Sequence, residues 1–445
     1  MPTHPTPRRS DVQLVHPEWS NDATIYQINT RQFTPEGTFV AATSQLPRLA
    51  TLGVQILWLM PVHEIGEQNR KGTLGSPYAV KDYYSVNPEL GTLAELRGFL
   101  DAAHALGLHV ILDWVANHTA WDNPLVEQHP EWYARDWKGD LQPSPWWDWP
   151  DIVDLDYAKP GLRSYMTEAM AYWVREVGFD GFRCDVAGFV PTDWWEVTRA
   201  ELERIRPVFL LAEWESRELH DRAFDATYGW SWNEAMHRIA SGEADVGALR
   251  AYYAWNEKAF QADCLRMLFV SNHDKNAWEG TEFEQFGDAL HAAIVLSVVS
   301  EGIPLIYNGQ EAGSTKRLQF FERDPIAWTE HPLGDLYARL VALKRANHAL
   351  WNGRWGGRMV EVVTDRTETS LAFVRRQGDH AVLLVLNLCA EPAELTLLDG
   401  PYPGVWDDVD SGEQVRLGDH ATLGLAAWGY RLLVQGPQTV GVTRG

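Results

Sequence analysis

Apolar residues in this chain gather in eight short strand-like runs, at 25–29, 54–61, 109–115, 181–186, 208–213, 223–228, 267–271 and 304–308. Between them the period changes to that of helices, at 41–52, 93–106, 161–177, 193–205, 246–260, 287–300 and 335–348. Thr92, three residues ahead of Glu95, opens the second of these helices with a capping box, and Gly107 stops it. Eight alternating units of this kind predict an α/β fold, a parallel (β/α)8 TIM barrel. The alternation breaks in two places. Residues 117–156 carry Trp, Pro and Asp without helical period, which predicts a short inserted segment after the third strand, walling one side of the barrel mouth. Beyond about residue 355 short alternating strands follow, at 370–375, 381–387, 394–398 and 428–434, and predict an antiparallel β-sandwich. The expected division is a loosely held N-terminal arm at 1–20, the catalytic barrel at 21–116 and 157–354, the insertion at 117–156, and the sandwich at 355–445.

Length and composition agree with one large barrel plus an accessory domain: 445 residues, 45% of them hydrophobic. A net charge of −23 argues against nucleic acid and anionic membranes as partners and is compatible with a neutral substrate. No apolar run has membrane-spanning length, and residues 1–20 lack the apolar stretch of a secretory signal, so the expected location is cytoplasmic. Cys184, Cys264 and Cys389 have no zinc-site spacing and are expected as free thiols. Oligomeric state is not legible. The 22 Trp residues are unusual. Trp146, Trp147 and Trp149, with Trp121, Trp132 and Trp137 nearby, form either platforms for sugar faces or a small hydrophobic cluster.

Four strand-like runs end in acidic groups: Asp113, Asp185, Glu213 and Asp274. In a parallel barrel that end carries the active site. Arg183 and Asp185 are two residues apart and face the same side of a strand. Two charges there must be paired or used in chemistry. Two carboxyl groups flanking one bond are the apparatus of glycoside hydrolysis, one ionised and one protonated. Arg183 keeps Asp185 anionic in this reading, while Leu211 and Trp214 favour a proton on Glu213 by desolvation. Asp185 is then the nucleophile and Glu213 the acid/base, with His118 and His273 donating to sugar hydroxyls. Plainer readings exist for each: a structural Arg183–Asp185 pair, a Glu213 satisfied by backbone donors, an Asp274 capping the next turn, an Asp113 acting as a hydrogen-bond hub. Their joint occurrence favours the catalytic reading.

The blocks 113–118 (Asp113 to His118), 181–185 (Gly181 to Asp185), 212–214 (Ala212 to Trp214) and 271–274 (Ser271 to Asp274) resemble, in order, the four signature blocks of the α-amylase family of retaining glycoside hydrolases, family 13. Residues 53–61, 151–156 and 302–311 resemble its supporting blocks. The resemblance implies Asp185 as nucleophile, Glu213 as general acid/base and Asp274 as transition-state stabiliser. It implies sugar contacts from Arg183, His118 and His273, grouped with Asp113 and Trp214, and a stacking role for Tyr78. No cofactor is implied for the chemistry. Asn117 matches one ligand of the family's structural calcium, while the rest of that cage is not visible. Many endo-acting members carry Lys-His where this chain has Gly188 and Phe189. The expected activity is hydrolysis of α-glucosidic, mainly α-1,4, bonds in malto-oligosaccharides or other α-glucans. Transglycosylation, or α-glucosidase action on short sugars, uses the same residues. A non-catalytic carbohydrate-binding relative would have lost a carboxylate, and a phosphate-binding barrel would need a Gly-rich loop that is absent here.

Overall fold

A computed structural model describes residues 14–144 and 147–436. Eight parallel strands close into a barrel: Ile25–Ile28, Ile56–Leu59, His109–Trp114, Gly181–Cys184, Phe209–Ala212, Ala226–Tyr228, Leu265–Leu268 and Ile303–Tyr307. Each pairs with its successor in sequence, and the first pairs with the last. All eight predicted runs are these strands. Alternate residues point inward, so Ile25, Trp58, Ile111, Phe209, Leu211 and Met267 form one cluster inside the ring. Their neighbours pack outward under the helices, where a much larger apolar layer forms.

The helices depart from expectation in three places. The run at 41–52 is two helices, Phe39–Thr43 and Leu46–Leu52, because Pro47 supplies no N–H to continue the first and instead opens the second. The run at 161–177 ends its regular helix at Tyr172, and Trp173–Val177 widens into a π turn before Gly178. A helix not foreseen, Trp230–Ala240, precedes Gly247–Ala259 in the sixth unit. Its buried Trp232, Met236 and Ile239 do carry helical spacing, but flanking polar residues obscure it.

Past residue 355, a six-stranded and a three-stranded antiparallel sheet face each other across a core that includes Val374, Leu383, Leu395, Leu397 and Trp406. The sandwich is as predicted, with additional short strands such as Gly404–Asp408, Gln414–Leu417 and Thr422–Leu425. The loosely held arm requires correction. Residues 1–13 lie outside the described part, but 14–20 are fastened to the barrel. His16 bonds Asp225 Oδ1 at 2.7 Å and Asp263 O at 2.8 Å, and Trp19 stacks on His109 at 4.0 Å.

Two small sheets build up the barrel mouth. Glu64–Ile65 pairs with Val80–Asp82, so that the intervening loop stands over the opening. In the insertion, His118–Ala120 pairs with Ile152–Asp154, and a one-turn helix, Leu125–Gln128, lies between them. Among the described residues no helix is long and apolar enough to cross a membrane. The three cysteines are free.

Candidate active site

Barrel register assembles the site. Asp113 on the third strand lies beside Arg183 on the fourth, which lies beside Leu211 on the fifth. All three face inward, and Asp185 and Glu213 follow two residues later, at the rim. The Arg183 guanidinium is fully buried among three carboxyl groups. Nη1 donates to Asp113 Oδ1 at 2.7 Å and to Asp185 Oδ1 at 3.0 Å, and Nη2 stands 2.9 Å from Glu213 Oε1. Nε donates to the Tyr228 hydroxyl at 3.1 Å. The expected partition, Arg183 serving Asp185 alone, is therefore replaced by one cation shared among three acids.

A single buried cation does not neutralise three buried carboxylates, so proton affinity rises. Burial pushes Glu213 up to about 8 against the pull of Arg183, with Asp185 and Asp274 adding repulsion. Burial likewise pushes Asp185 up to about 7, again opposed by Arg183. Asp185 accepts a well-directed hydrogen bond from Arg183, whereas Glu213 has only the charge contact and one backbone donor. Of these two rim groups Asp185 is thus the first to ionise, while the deeper Asp113 is raised less, to about 6.

A backbone donor to Glu213 was among the sequence readings; its source, the turn at Val186, was not. Val186 sits in the left-handed region, at φ 37° and ψ 46°. For a β-branched residue this costs about 1–3 kcal/mol. The strained turn brings the Val186 N–H to Glu213 Oε2 at 2.7 Å. Strain stored beside the first carboxyl group is used to orient the second.

His273 and Tyr78 form a relay. Gln27 Nε2 meets His273 Nδ1 at 2.7 Å, and His273 Nε2 meets the Tyr78 hydroxyl at 2.7 Å. Tyr78 donates to Asp113 Oδ2 at 3.0 Å. With Gln27 donating to Nδ1, the network assigns the ring proton to Nε2. Burial holds His273 and His118 at about 4, so both rings are neutral near pH 7. The Tyr78, His273 and Phe320 rings lie against one another, with Tyr78 5.6 Å from His273 and each of them 6.2 Å from Phe320. His118 Nε2 lies 3.9 Å from Asp185 Oδ2.

A cleft of about 450 Å³ opens above this floor. Tyr78, His118, Asp185, Glu213, His273 and Asp274 line it. Asp274 makes no capping bond to the turn that follows it, so the plain reading of that residue fails. Asp113 and Arg183 need correction: both are completely buried and lie beneath the cleft, where they position other groups rather than face a sugar. Asp113 is the hydrogen-bond hub, accepting from Arg183, Tyr78 and Trp58 Nε1. Trp214 stands back from the cleft and fills the space over Gly188, where a Cβ would come within 2.1 Å of its ring. Sequence reading missed Lys71, Phe320 and Phe321, which add to the lining from loops without period, and Trp278, which adds to it from a π turn, Lys275–Glu279. Two adjacent aromatics at 320–321 were the one available signal.

The aromatic residues divide. Trp149 lines the cleft and stacks on Trp147 at 5.2 Å, and Trp147 approaches Phe189 at 6.2 Å, which in turn meets Trp214 at 5.1 Å. This wall flanks Glu213. Trp132 instead stacks on His129 and packs into the core, the plainer of the two roles. Trp146 lies outside the described residues.

Asn117 was matched to a calcium ligand. Its side-chain amide approaches His118 Nδ1 at 3.2 Å and Asp154 Oδ1 at 3.3 Å, and Ser144 also donates to Asp154, at 2.6 Å. Among the described residues no group of three or more His, Cys, Asp or Glu is arranged to hold a metal ion. These donors satisfy one another and do not fit a calcium cage, which takes six to eight oxygens. Excess chelator is therefore expected to move the melting temperature by less than about 2 °C, and a fall above about 10 °C would show that a bound ion contributes to stability.

Comparison with known proteins agrees with this geometry. The alpha-amylase catalytic domain family matches residues 17–243, just over half of the chain. Alpha-amylase MalA of Haloarcula japonica is 29% identical over 422 residues, covering 89% of this chain and 61% of that protein, so this chain spans less than two thirds of its length. A Streptomyces coelicolor α-1,4-glucan:maltose-1-phosphate maltosyltransferase is 28% identical, covering 89% of this chain and 62% of that one. Among solved structures, a maltogenic alpha-amylase, AmyB, from Thermotoga neapolitana superposes with a TM-score of 0.84 at 29% identity, over 93% of this chain and 98% of that one. The ordered blocks, the closed barrel with its carboxyl groups at the rim, and the match across the catalytic domain together make this chain a member of the α-amylase family.

Proposed function

We propose that this chain is a retaining glycoside hydrolase that cleaves α-1,4-glucosidic bonds of short malto-oligosaccharides by double displacement. The observation that carries the reading is the shared Arg183 guanidinium, which holds Asp185 and Glu213 side by side at the ends of adjacent strands. Asp185, ionised first, attacks the anomeric carbon. The bond to the leaving sugar breaks as Glu213 gives its proton to the glycosidic oxygen. Water then enters, Glu213 takes its proton, and hydroxide attacks the glycosyl ester and frees Asp185. Two inversions leave the anomeric configuration unchanged. Asp274 faces the positive charge that develops on the ring. The neutral His118 and His273 supply hydrogen bonds to hydroxyls without adding a cation that would oppose that charge.

Short substrates are favoured by the leaving side. Gly188 and Phe189 offer no polar side chain there, and Trp147, Trp149 and Phe189 add bulk beside Glu213. Transglycosylation is a second reading, supported by the same wall, since an aromatic surface beside the acid can hold an acceptor sugar in place of water.

The test is digestion of maltotriose and soluble starch followed by proton NMR. Newly released reducing ends should appear as the α-anomer before mutarotation, with kcat/KM per chain end higher for maltotriose. Initial release of the β-anomer would rule out double displacement. A maltotriose-to-starch ratio well below one would rule out the size preference. Products longer than the substrate at high maltotriose would favour transglycosylation.

A further inference from the structure

The two ends of the cleft are built differently. At the Tyr78 end, the loop 66–76 after the second strand is joined to the loop after the eighth strand. Leu74 N–H donates to Phe321 O at 3.2 Å, and Thr73 N–H donates to Glu322 Oε1 at 2.8 Å. On its other flank the same loop reaches the insertion through Lys71. Lys71 Nζ donates to Asp148 O at 2.7 Å, lies 3.4 Å from Asp151 Oδ1, and sits 5.9 Å over the Phe321 ring. The Asp151 carboxylate has a side-chain exposure of 6%, so it is a buried charge for which Lys71 is the ion-pair partner. Lys71, Asp148, Asp151 and Phe321 all line the cleft. Three separate segments of chain thus meet at one ammonium group.

The Glu213 end is narrowed by the Trp147–Phe189 wall, but among the described residues no hydrogen bond or ion pair of this kind spans it. Phe189 and Trp147 there are 41% and 55% exposed. Given the proposed double displacement, on which this argument rests, Glu213 marks the side of the leaving sugar. Tyr78 and Phe320 mark the side of the sugar that becomes attached to Asp185.

We infer that Lys71 determines chain-end specificity: its ammonium closes the glycone end of the cleft, so that an α-glucan enters by its non-reducing end and is cut from there. The link that Lys71 adds, from this loop to the insertion, consists of one charge-assisted hydrogen bond and one partly exposed ion pair. Contacts of that kind are modest, so the end opens at a low frequency rather than never. The specificity is accordingly graded, and loosening the closure raises internal cleavage without creating a new activity.

Two forms of maltoheptaose test this, one free and one carrying a 4,6-ketal on its non-reducing glucosyl unit. The wild type should cleave the capped form about tenfold less efficiently than the free form. Lys71→Ala and Lys71→Met should raise the capped-to-free ratio of kcat/KM by about three- to tenfold, the range for loss of one charge-assisted contact. Asp151→Asn, which leaves the bond to Asp148 O in place, should raise it less. Because the readout is a ratio within one enzyme, a general loss of stability or activity cancels. A wild-type ratio near one would overturn the inference while leaving the proposed hydrolysis intact. Unchanged ratios in both Lys71 variants would overturn it equally. No cleavage of either heptaose, or of maltotriose, by the wild type would refute the underlying activity and the inference with it.

Discussion

Asp185→Asn is expected to lower kcat on maltotriose by about 10⁴-fold or more, the scale on which removal of a catalytic nucleophile acts. A neutral amide cannot form the glycosyl ester, and no other described carboxyl group shares the contact with Arg183 from the fourth strand. The fold should be preserved, since Arg183 keeps Asp113 and Glu213 as partners. Stability provides a second, independent sign. Burial raises Asp185 from 3.8 to about 7 in the folded chain. A carboxyl group raised on folding contributes stability below its unfolded pKa, and that contribution is lost as pH rises through the folded value. Between about pH 4 and pH 7 the wild type progressively loses this term, and the amide variant has no such term to lose. The melting temperature of the variant relative to the wild type should therefore rise across that interval. Residual turnover within tenfold of wild type would remove Asp185 from the nucleophile role. A relative melting temperature that falls with pH would show that the buried carboxylate is net stabilising when ionised.

The barrel strands were legible as short apolar runs set between helical periods, and four of them end in an acidic group, a combination that local sequence displays directly. Gly181 to Asp185 and Phe209 to Glu213 are the clearest cases. What was not legible depends on which strand neighbours which. Arg183 was assigned to Asp185 because the two are close in sequence, yet its shortest contact is to Asp113, seventy positions away, and it also reaches Glu213. The Gln27–His273–Tyr78–Asp113 relay joins two strands, the segment after the seventh strand and a loop in the same way. Closure of the ring creates these contacts, and no periodicity reports them. The strained conformation of Val186 is hidden for a different reason. A β-branched residue reads as strand, and only the packed barrel on both sides of the turn forces it into the left-handed region. Lys71, Phe320 and Phe321 come from loops, where side-chain direction is set by tertiary contacts alone, and Trp278 from the irregular π turn Lys275–Glu279. His16 shows the same limit at the N-terminus: a polar residue in a Pro-rich stretch reads as an arm, and its anchoring pair with Asp225 is formed only at the closed foot of the barrel.

Glu213→Gln should produce a loss that depends on the leaving group. Removing a positioned general acid costs about 10²–10⁴-fold, and only where the departing oxygen needs the proton. Maltotriose should show the full loss, while an activated aryl α-maltoside, whose phenolate departs unaided, should recover most of its first step. The strained turn survives, because the amide oxygen of Gln can still accept from the Val186 N–H. The second step does not recover, since an amide cannot take a proton from water. The glycosyl enzyme should then accumulate on the aryl substrate, seen as a burst of phenolate, and added azide, which attacks without needing a base, should relieve it as an α-glycosyl azide. The pH profile supplies the sign. In the wild type, kcat/KM should fall on the acid side as Asp185 takes a proton and on the basic side as Glu213 loses one, with apparent values for the pair near about 7 and about 8. In the Gln variant with the aryl substrate the basic limb should vanish and the acid limb remain. The acid limb should stay in place, because in the wild type Glu213 still carries its proton, and so no charge, where Asp185 ionises, and the carboxylates that repel Asp185 are Asp113 and Asp274. Equal losses on maltotriose and aryl maltoside, with the basic limb intact, would take the acid/base role away from Glu213 and require another proton donor on the leaving side of the cleft.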